Sequence, residues 1–331
     1  MVSVPGFDDI RKAADRLAGI AVRTPLLHSP LLSEQLGGDV YLKPESLQRK
    51  GAFKFRGAFN AVTALGDGAR DGIVACSSGN HAQGIAEAAR LAGAPATIVM
   101  PSDAPQVKKD GVISAGGRIV DYDRVREDRD AVAAGIIAEQ GGTFVHPYND
   151  PNVIAGQGTV GLEIAEDCKR LGIMPDHVMV PCGGGGLTAG IATAMHELFP
   201  DALVHPVEPA GFDEYGRSLK AGERLSNERL DGSICDALLA PSPGEIGFEI
   251  NKKLCGEGYA VDDDAALLAV GFACRQLKLV VEPGGAVALA ALRTGRLPAV
   301  GNSIVVVLSG GNIEDEMLMR ALARYEAEIR G

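Results

Sequence analysis

Tryptophan is absent from this 331-residue chain, aromatic residues make up 5% of it, and basic residues are outnumbered, 32 against 43. The resulting net charge of −11 disfavours a partner gripped through phosphates, so no nucleic-acid partner is expected. No uninterrupted apolar stretch reaches the roughly 18 residues that a membrane helix needs. The opening residues Met1 to Asp9 are acidic and carry no apolar signal core. Six cysteines (Cys76, Cys168, Cys182, Cys235, Cys255 and Cys274) are scattered without a Cys-x-x-Cys pair, and the histidines do not cluster. That pattern suits reduced thiols in a cytoplasm better than a disulfide scaffold or a zinc knuckle. Neither a repeat of roughly 20–50 residues nor a low-complexity tract appears. Membrane, secreted, fibrous and disordered classes are set aside.

What remains is an ordinary globular composition, 46% hydrophobic and 23% charged. At roughly 150 residues per domain, its length predicts about two domains. Short apolar runs alternate with helical patterns. Strands are predicted at Ile73–Cys76, Ala96–Met100, Arg118–Asp121, Asp176–Val180, Ala202–Val207 and Ser303–Leu308. Helical patterns fall at His81–Leu91, at Gln106–Ser114 and from about Thr188. Strands that are apolar throughout, separated by helices, predict parallel sheets covered on both faces. Ligand chemistry is then expected at the carboxyl ends of the strands. The more polar segment Gly216–Gly244, punctuated by Pro241-Ser242-Pro243-Gly244, reads as surface loop with one short helix.

Four segments carry candidate chemistry. Lys54 lies between Phe53 and Phe55, and an amine desolvated by aromatic neighbours has a lowered pKa and becomes a usable nucleophile. The plain alternative is a solvated lysine at a helix start. Ser77-Ser78-Gly79-Asn80-His81 follows a strand and opens a helix, where hydroxyls and backbone N–H groups can hold a carboxylate. An ordinary N-cap would explain one of its serines but not the cluster. Gly183-Gly184-Gly185-Gly186 follows another strand and precedes a helix, so its backbone N–H groups can converge on an anion, usually phosphate. Glycine is 43 of 331 residues, and only about 0.1 such runs are expected by chance. It is neither a Walker A loop nor a Gly-x-Gly-x-x-Gly site. Ser309, after the strongest strand, offers a hydroxyl at a strand end. Together these segments describe a pyridoxal phosphate site.

The sequence resembles the fold-type II pyridoxal-phosphate enzymes, specifically the serine/threonine dehydratase and serine racemase group. The resemblance runs from Arg23-Thr24-Pro25-Leu26 to Ser309-Gly310-Gly311-Asn312, with the motifs in the family's order. It implies an α/β fold like that of the tryptophan synthase β chain, with two twisted, parallel-type sheets flanked by helices. A small mobile domain, 46–144, would be inserted in a large cofactor-binding one, 1–45 plus 145–331. By resemblance Lys54 bonds covalently to the cofactor, Phe53 packs beside its ring, Asn80 meets the ring hydroxyl, and Gly183 to Gly186 hold the phosphate. Ser309 faces the ring nitrogen, while Ser77, Ser78, Gly79, Asn80 and His81 receive the substrate carboxylate. His81 and His146 are expected to be structural, because Lys54 already fills the role of base.

The implied reaction is β-elimination from a hydroxy amino acid, L-threonine or L-serine, giving a 2-oxo acid and ammonia. Serine racemase is the alternative, because Ser78 stands where a racemase needs a proton donor opposite Lys54 and the biosynthetic threonine deaminases carry alanine. Arg129 aligns roughly with an arginine that recognises a second substrate carboxylate, which makes 3-hydroxyaspartate a third candidate. The charged run Arg124–Asp130 otherwise reads as a solvated helix face. Glu208, Glu214 and the Phe212 carbonyl match a loop that binds Mg²⁺ or Ca²⁺, with glutamate replacing the usual aspartate at 214; the alternative is a solvated acidic turn. The chain ends near Gly331, so a compact catabolic-type enzyme without a C-terminal regulatory domain is expected, as a cytoplasmic homodimer. A pyridoxal-phosphate-binding regulatory protein that lost catalysis is the non-enzymatic reading, opposed by the retention of Lys54. β-Replacement of the cysteine synthase type ranks low, since those relatives carry Thr-Ser-Gly-Asn-Thr in place of Ser77–His81.

Overall fold

The computed structural model describes residues 3–104, 106–229 and 231–330. The extreme residues Met1, Val2 and Gly331, on which the expectations about the chain's ends partly bear, lie outside that set. Ten strands occur among the described residues: β1 (Leu27–His28), β2 (Asp39–Pro44), β3 (Ile73–Cys76), β4 (Ala96–Pro101), β5 (Arg118–Tyr122), β6 (Thr143–Phe144), β7 (His177–Pro181), β8 (Leu203–Pro209), β9 (Tyr259–Val261) and β10 (Ser303–Leu308). They build a six-stranded sheet ordered β1-β2-β10-β7-β8-β9 and a four-stranded sheet ordered β5-β4-β3-β6. Every pairing is parallel except that of β1 with β2.

The parallel arrangement follows from apolar side chains on both faces of the central strands. In β10, Ile304, Val306 and Leu308 enter one buried layer, while Val305 and Val307 enter the layer on the opposite face. β3 repeats this on a smaller scale, with Ile73 and Ala75 on one side and Val74 and Cys76 on the other. Alternate side chains of a strand point to opposite faces, so such strands need helices above and below.

The helix Pro151–Leu171 packs against the helix Lys54–Ala64 and the helix Gly186–Leu198. Its start is fixed by Asp150, whose carboxylate accepts from the backbone N–H groups of Asn152 and Val153, with Pro151 in the first helical position. Beneath it sits a buried ionic cluster. Arg56 donates to Glu45 at 2.8 Å and to Glu163 at 2.7 Å, and Lys43 donates to Glu163 at 2.6 Å. Arg56 and Glu45 are fully enclosed, which is tolerable only because each charge is both paired and hydrogen-bonded.

One expectation changes. The segment 216–244 contains the predicted short helix, at Glu214–Ala221, but it is not simply surface. Cys235 and Leu238 are buried in the core, and residues 236–241 line the central cavity. Side chains satisfy part of its backbone: the Ile234 N–H donates to Asp263 and the Cys235 N–H to the Ser233 hydroxyl.

Candidate active site

A cavity of about 560 Å³ opens at the carboxyl ends of β3, β7 and β10, where all four candidate segments converge. Lys54 opens the helix Lys54–Ala64. Its Nζ donates to the Pro147 carbonyl at 2.8 Å and lies 5.3 Å from the Phe53 ring centre. No carboxylate among the described residues pairs with it. Burial therefore dominates and lowers the amine to about 8. The solvated-lysine alternative is excluded by this placement.

Ser77 follows β3, and its hydroxyl accepts from the Gly79 N–H at 3.2 Å. Ser78 and Gly79 line the cavity, and Asn80 begins the helix Asn80–Ala92. His81 also lines it. Its Nε2 lies 3.1 Å from the Val145 carbonyl, which can only accept, so the proton sits on Nε2 and Nδ1 presents a buried, unpartnered lone pair. Burial, reinforced by the neighbouring Lys54 charge, lowers this imidazole to about 3, so it is neutral. His146 is lowered to about 4, mainly by burial, and its Nδ1 accepts from the Tyr148 and Asn149 N–H groups, which is a turn-forming role.

Gly183 to Gly186 leave β7 and enter the helix Gly186–Leu198. Gly185 takes a left-handed φ of 85°. A Cβ on Gly184 would overlap the Tyr148 ring, and one on Gly185 the Tyr215 ring. The loop is thus held against two aromatic faces that only glycine permits. The Thr188 hydroxyl, one turn along, is buried with only the Cys182 thiol beside it. An orphaned hydroxyl beside a helix N-terminus and a bare backbone cradle fits a phosphate group. Ser309 closes the wall at the end of β10, with its carbonyl accepting from the Phe53 N–H at 3.1 Å.

Several lining residues escaped the sequence reading. Glu282 is fully enclosed, accepts from Asn80 Nδ2 at 2.6 Å, and is raised to about 7 chiefly by burial. The signal available was a glutamate immediately before Pro283-Gly284-Gly285 at a helix start, where it makes no capping bond. Tyr148 and the Lys108–Asp236 pair (2.7 Å, spanning 128 residues of sequence) left no local trace. Arg129 lines the cavity while 47% exposed, and so is more than a solvated face.

The acidic loop stands apart. Glu208 and Glu214 are fully buried, which removes the solvated-turn reading. Both Glu208 oxygens accept backbone N–H groups, from Tyr215 and Gly216 at 2.8 Å. Glu214 Oε2 accepts from Asn227, and its Oε1 is buried without a partner. Burial and repulsion from Glu214 raise Glu208 well above the usual carboxylate range. Phe212, between them, is buried. Among the described residues no group of three or more His, Cys, Asp or Glu side chains is arranged to hold a metal ion.

Fold and site together define a class of two-sheet α/β protein that sets a lysine and a glycine cradle suited to a phosphate in one cavity. The family described as pyridoxal-phosphate dependent enzyme matches residues 18–310, and the chain belongs to it. The chain is 40% identical over 319 residues to the L-threonine ammonia-lyase of Thermotoga maritima, covering 96% of this chain and 78% of that protein. It is 39% identical to the L-threo-3-hydroxyaspartate ammonia-lyase of a Pseudomonas species, covering 95% of this chain and 98% of the other. Among solved structures, the T.th. threonine deaminase superposes with a TM-score of 0.89 at 42% identity, covering 94% of this chain and 99% of that one. The fold is that of the fold-type II pyridoxal-phosphate enzymes, and the cofactor is pyridoxal 5′-phosphate.

Proposed function

We propose that this protein is an ammonia-lyase that eliminates water from a β-hydroxy amino acid, L-threonine or L-serine, to give a 2-oxo acid and ammonia. The observation that carries this reading is the enclosed Lys54 amine, bonded to a carbonyl instead of a carboxylate, in the same cavity as the tetraglycine cradle. Pyridoxal phosphate, when bound, supplies the electron sink that acidifies the substrate Cα–H. Gly183 to Gly186, the N-terminus of helix Gly186–Leu198 and the Thr188 hydroxyl would hold its phosphate. Phe53 would pack beside its ring, Asn80 would meet its ring oxygen and Ser309 its ring nitrogen. The turn Ser77 to His81, at the positive end of the helix Asn80–Ala92, receives the substrate carboxylate.

Lys54 takes the Cα proton as general base, its lowered basicity leaving a usable neutral fraction at physiological pH. Hydroxide then departs from the β-carbon as water, taking up the proton that Lys54 removed from Cα, and the resulting enamine takes up water and releases ammonia as the 2-oxo acid forms.

A second reading rests on Arg129 and Lys108, two cations that line the same cavity. They suit a substrate with a second carboxylate, such as 3-hydroxyaspartate. Ser78 on the cavity wall supports a racemase side activity. Release of 2-oxo acid across a panel of hydroxy amino acids, with chiral analysis of the residual substrate, tests all three. Threonine or serine is expected to turn over fastest, and D-serine formation that vanishes in Ser78→Ala while pyruvate formation persists would make racemisation the main activity.

The division into a mobile unit, 46–144, and the remainder is proposed with this reading, as is a homodimer readable by sedimentation equilibrium. A divalent cation, Mg²⁺ or Ca²⁺, is proposed at Glu208, Glu214 and the Phe212 carbonyl. It is supported by the burial of both carboxylates, the repulsion Glu214 exerts on Glu208, and the orphaned Glu214 oxygen.

A further inference from the structure

In the cavity wall, three polar side chains from distant parts of the sequence, Asn312, Asn80 and Glu282, form a single hydrogen-bonded relay. The Lys50 carbonyl accepts from Asn312 Nδ2 at 2.8 Å. A backbone carbonyl can only accept, so the nitrogen end of the Asn312 amide must face it. The second N–H of that nitrogen reaches Asn80 Oδ1 at 2.7 Å. Asn80 therefore has its oxygen committed, and its own nitrogen faces Glu282, donating to Oε1 at 2.6 Å. The polarity of the whole chain is set at one end and propagates to the other.

The surrounding backbone is built around this relay. Lys50 is one of two non-glycine residues with positive φ among the described residues. Such a conformation persists only where neighbours over-determine it. A Cβ on Gly51 would overlap the Asn312 side-chain oxygen. One on Gly310 would overlap Glu282 Oε1 and approach Asn80 Nδ2 to 3.2 Å. Backbone bonds from Gly311 N–H to the Gly51 carbonyl (2.8 Å) and from Glu282 N–H to the Gly310 carbonyl (3.0 Å) tie the same three strands of chain together. After these commitments Asn80 retains one unspent N–H, and Asn80 lines the cavity.

We propose that Asn312 and Glu282 are positioning residues, which hold the Asn80 amide with its nitrogen turned to the cofactor so that the remaining N–H donates to the ring oxygen. Without them the amide can rotate by half a turn and offer its carbonyl to an oxygen that carries negative charge. The inference rests on the pyridoxal phosphate reading and adds to it two residues that act through Asn80.

The test is a double-mutant cycle on apoenzyme titrated with pyridoxal phosphate, reading the dissociation constant and the position of the visible absorbance band. Asn312→Ala and Glu282→Ala are each expected to weaken binding about tenfold and to shift the band, the size of one lost hydrogen bond to a charged group. In an Asn80→Ala background neither is expected to cost anything further, because nothing is left to orient. Glu282→Gln, which keeps an acceptor oxygen, is expected to restore affinity. Should Asn312→Ala fail to fold, the near-isosteric Asn312→Asp carries the same cycle. Wild-type affinity in these variants, or equal losses with and without Asn80, would overturn the inference. Absence of any visible band in the wild-type protein would instead bring down the cofactor reading itself.

Discussion

At the scale of single residues, the proposed chemistry concentrates on Lys54. Replacing it with alanine is expected to abolish the visible cofactor band and to lower ammonia release by about 10³-fold or more, read by spectrophotometry and a coupled assay. Its pH behaviour follows from the sign of the shift. Burial favours the neutral amine, lowering its pKa from 10.5 to about 8, so the nucleophilic form grows as pH rises toward 8 instead of toward 10.5. The rate of covalent cofactor capture by apoenzyme is expected to rise with pH through a midpoint near 8, as measured by stopped-flow absorbance. A midpoint near 10.5 would show the lysine to be solvated. Residue chemistry here was legible because lysine, tetraglycine and the Ser/Gly/Asn turn are each contiguous in sequence. Glu282, Tyr148 and Asn312 were not, since their partners lie 202, 36 and 232 positions away.

Secondary-structure elements position these residues through their ends. The helix Gly186–Leu198 offers its N-terminus only because the preceding loop can take a left-handed turn pressed against Tyr148 and Tyr215. Gly185→Ala imposes both a strained φ and a collision, and is expected to weaken pyridoxal phosphate binding at least about 100-fold and to cost roughly 1–3 kcal/mol of stability. Equilibrium titration and urea melts would check both. The helix Lys54–Ala64 is anchored differently, through Arg56 in the buried cluster with Glu45 and Glu163. Arg56→Met leaves Glu45 buried without its hydrogen-bonded counter-charge, while Glu163 keeps Lys43, and about 3–5 kcal/mol should be lost in denaturant unfolding. In the acidic loop, Mg²⁺ is expected to raise the melting temperature of the wild type but not of Glu214→Gln. An equal rise in both would remove the cation from that loop.

For the whole molecule, segments following strands of both sheets line the cavity, and the cofactor's binding energy adds to the stability of the folded chain. At a free concentration 100 times its dissociation constant, pyridoxal phosphate is expected to stabilise the apoenzyme by about 2.7 kcal/mol, or roughly 4 °C in melting temperature, and to do so far less in Lys54→Ala. Calorimetry reads both. No described helix is long and apolar enough to cross a membrane. The alternation of wholly apolar strands with amphipathic helices determined the parallel α/β architecture, because strands buried on both faces admit few other solutions. Local sequence likewise marked out the tetraglycine loop, the Ser/Gly/Asn turn and Lys54 as candidates, because each is a contiguous motif. Only the tertiary structure decided which carboxyl faces Asn80, that residues 236–241 turn inward, that Arg129 and Lys108 share a cavity, and that Glu208 and Glu214 are buried. Each of those depends on side chains far apart in sequence meeting in a low-dielectric interior, where proximity and desolvation, not residue order, set the energy.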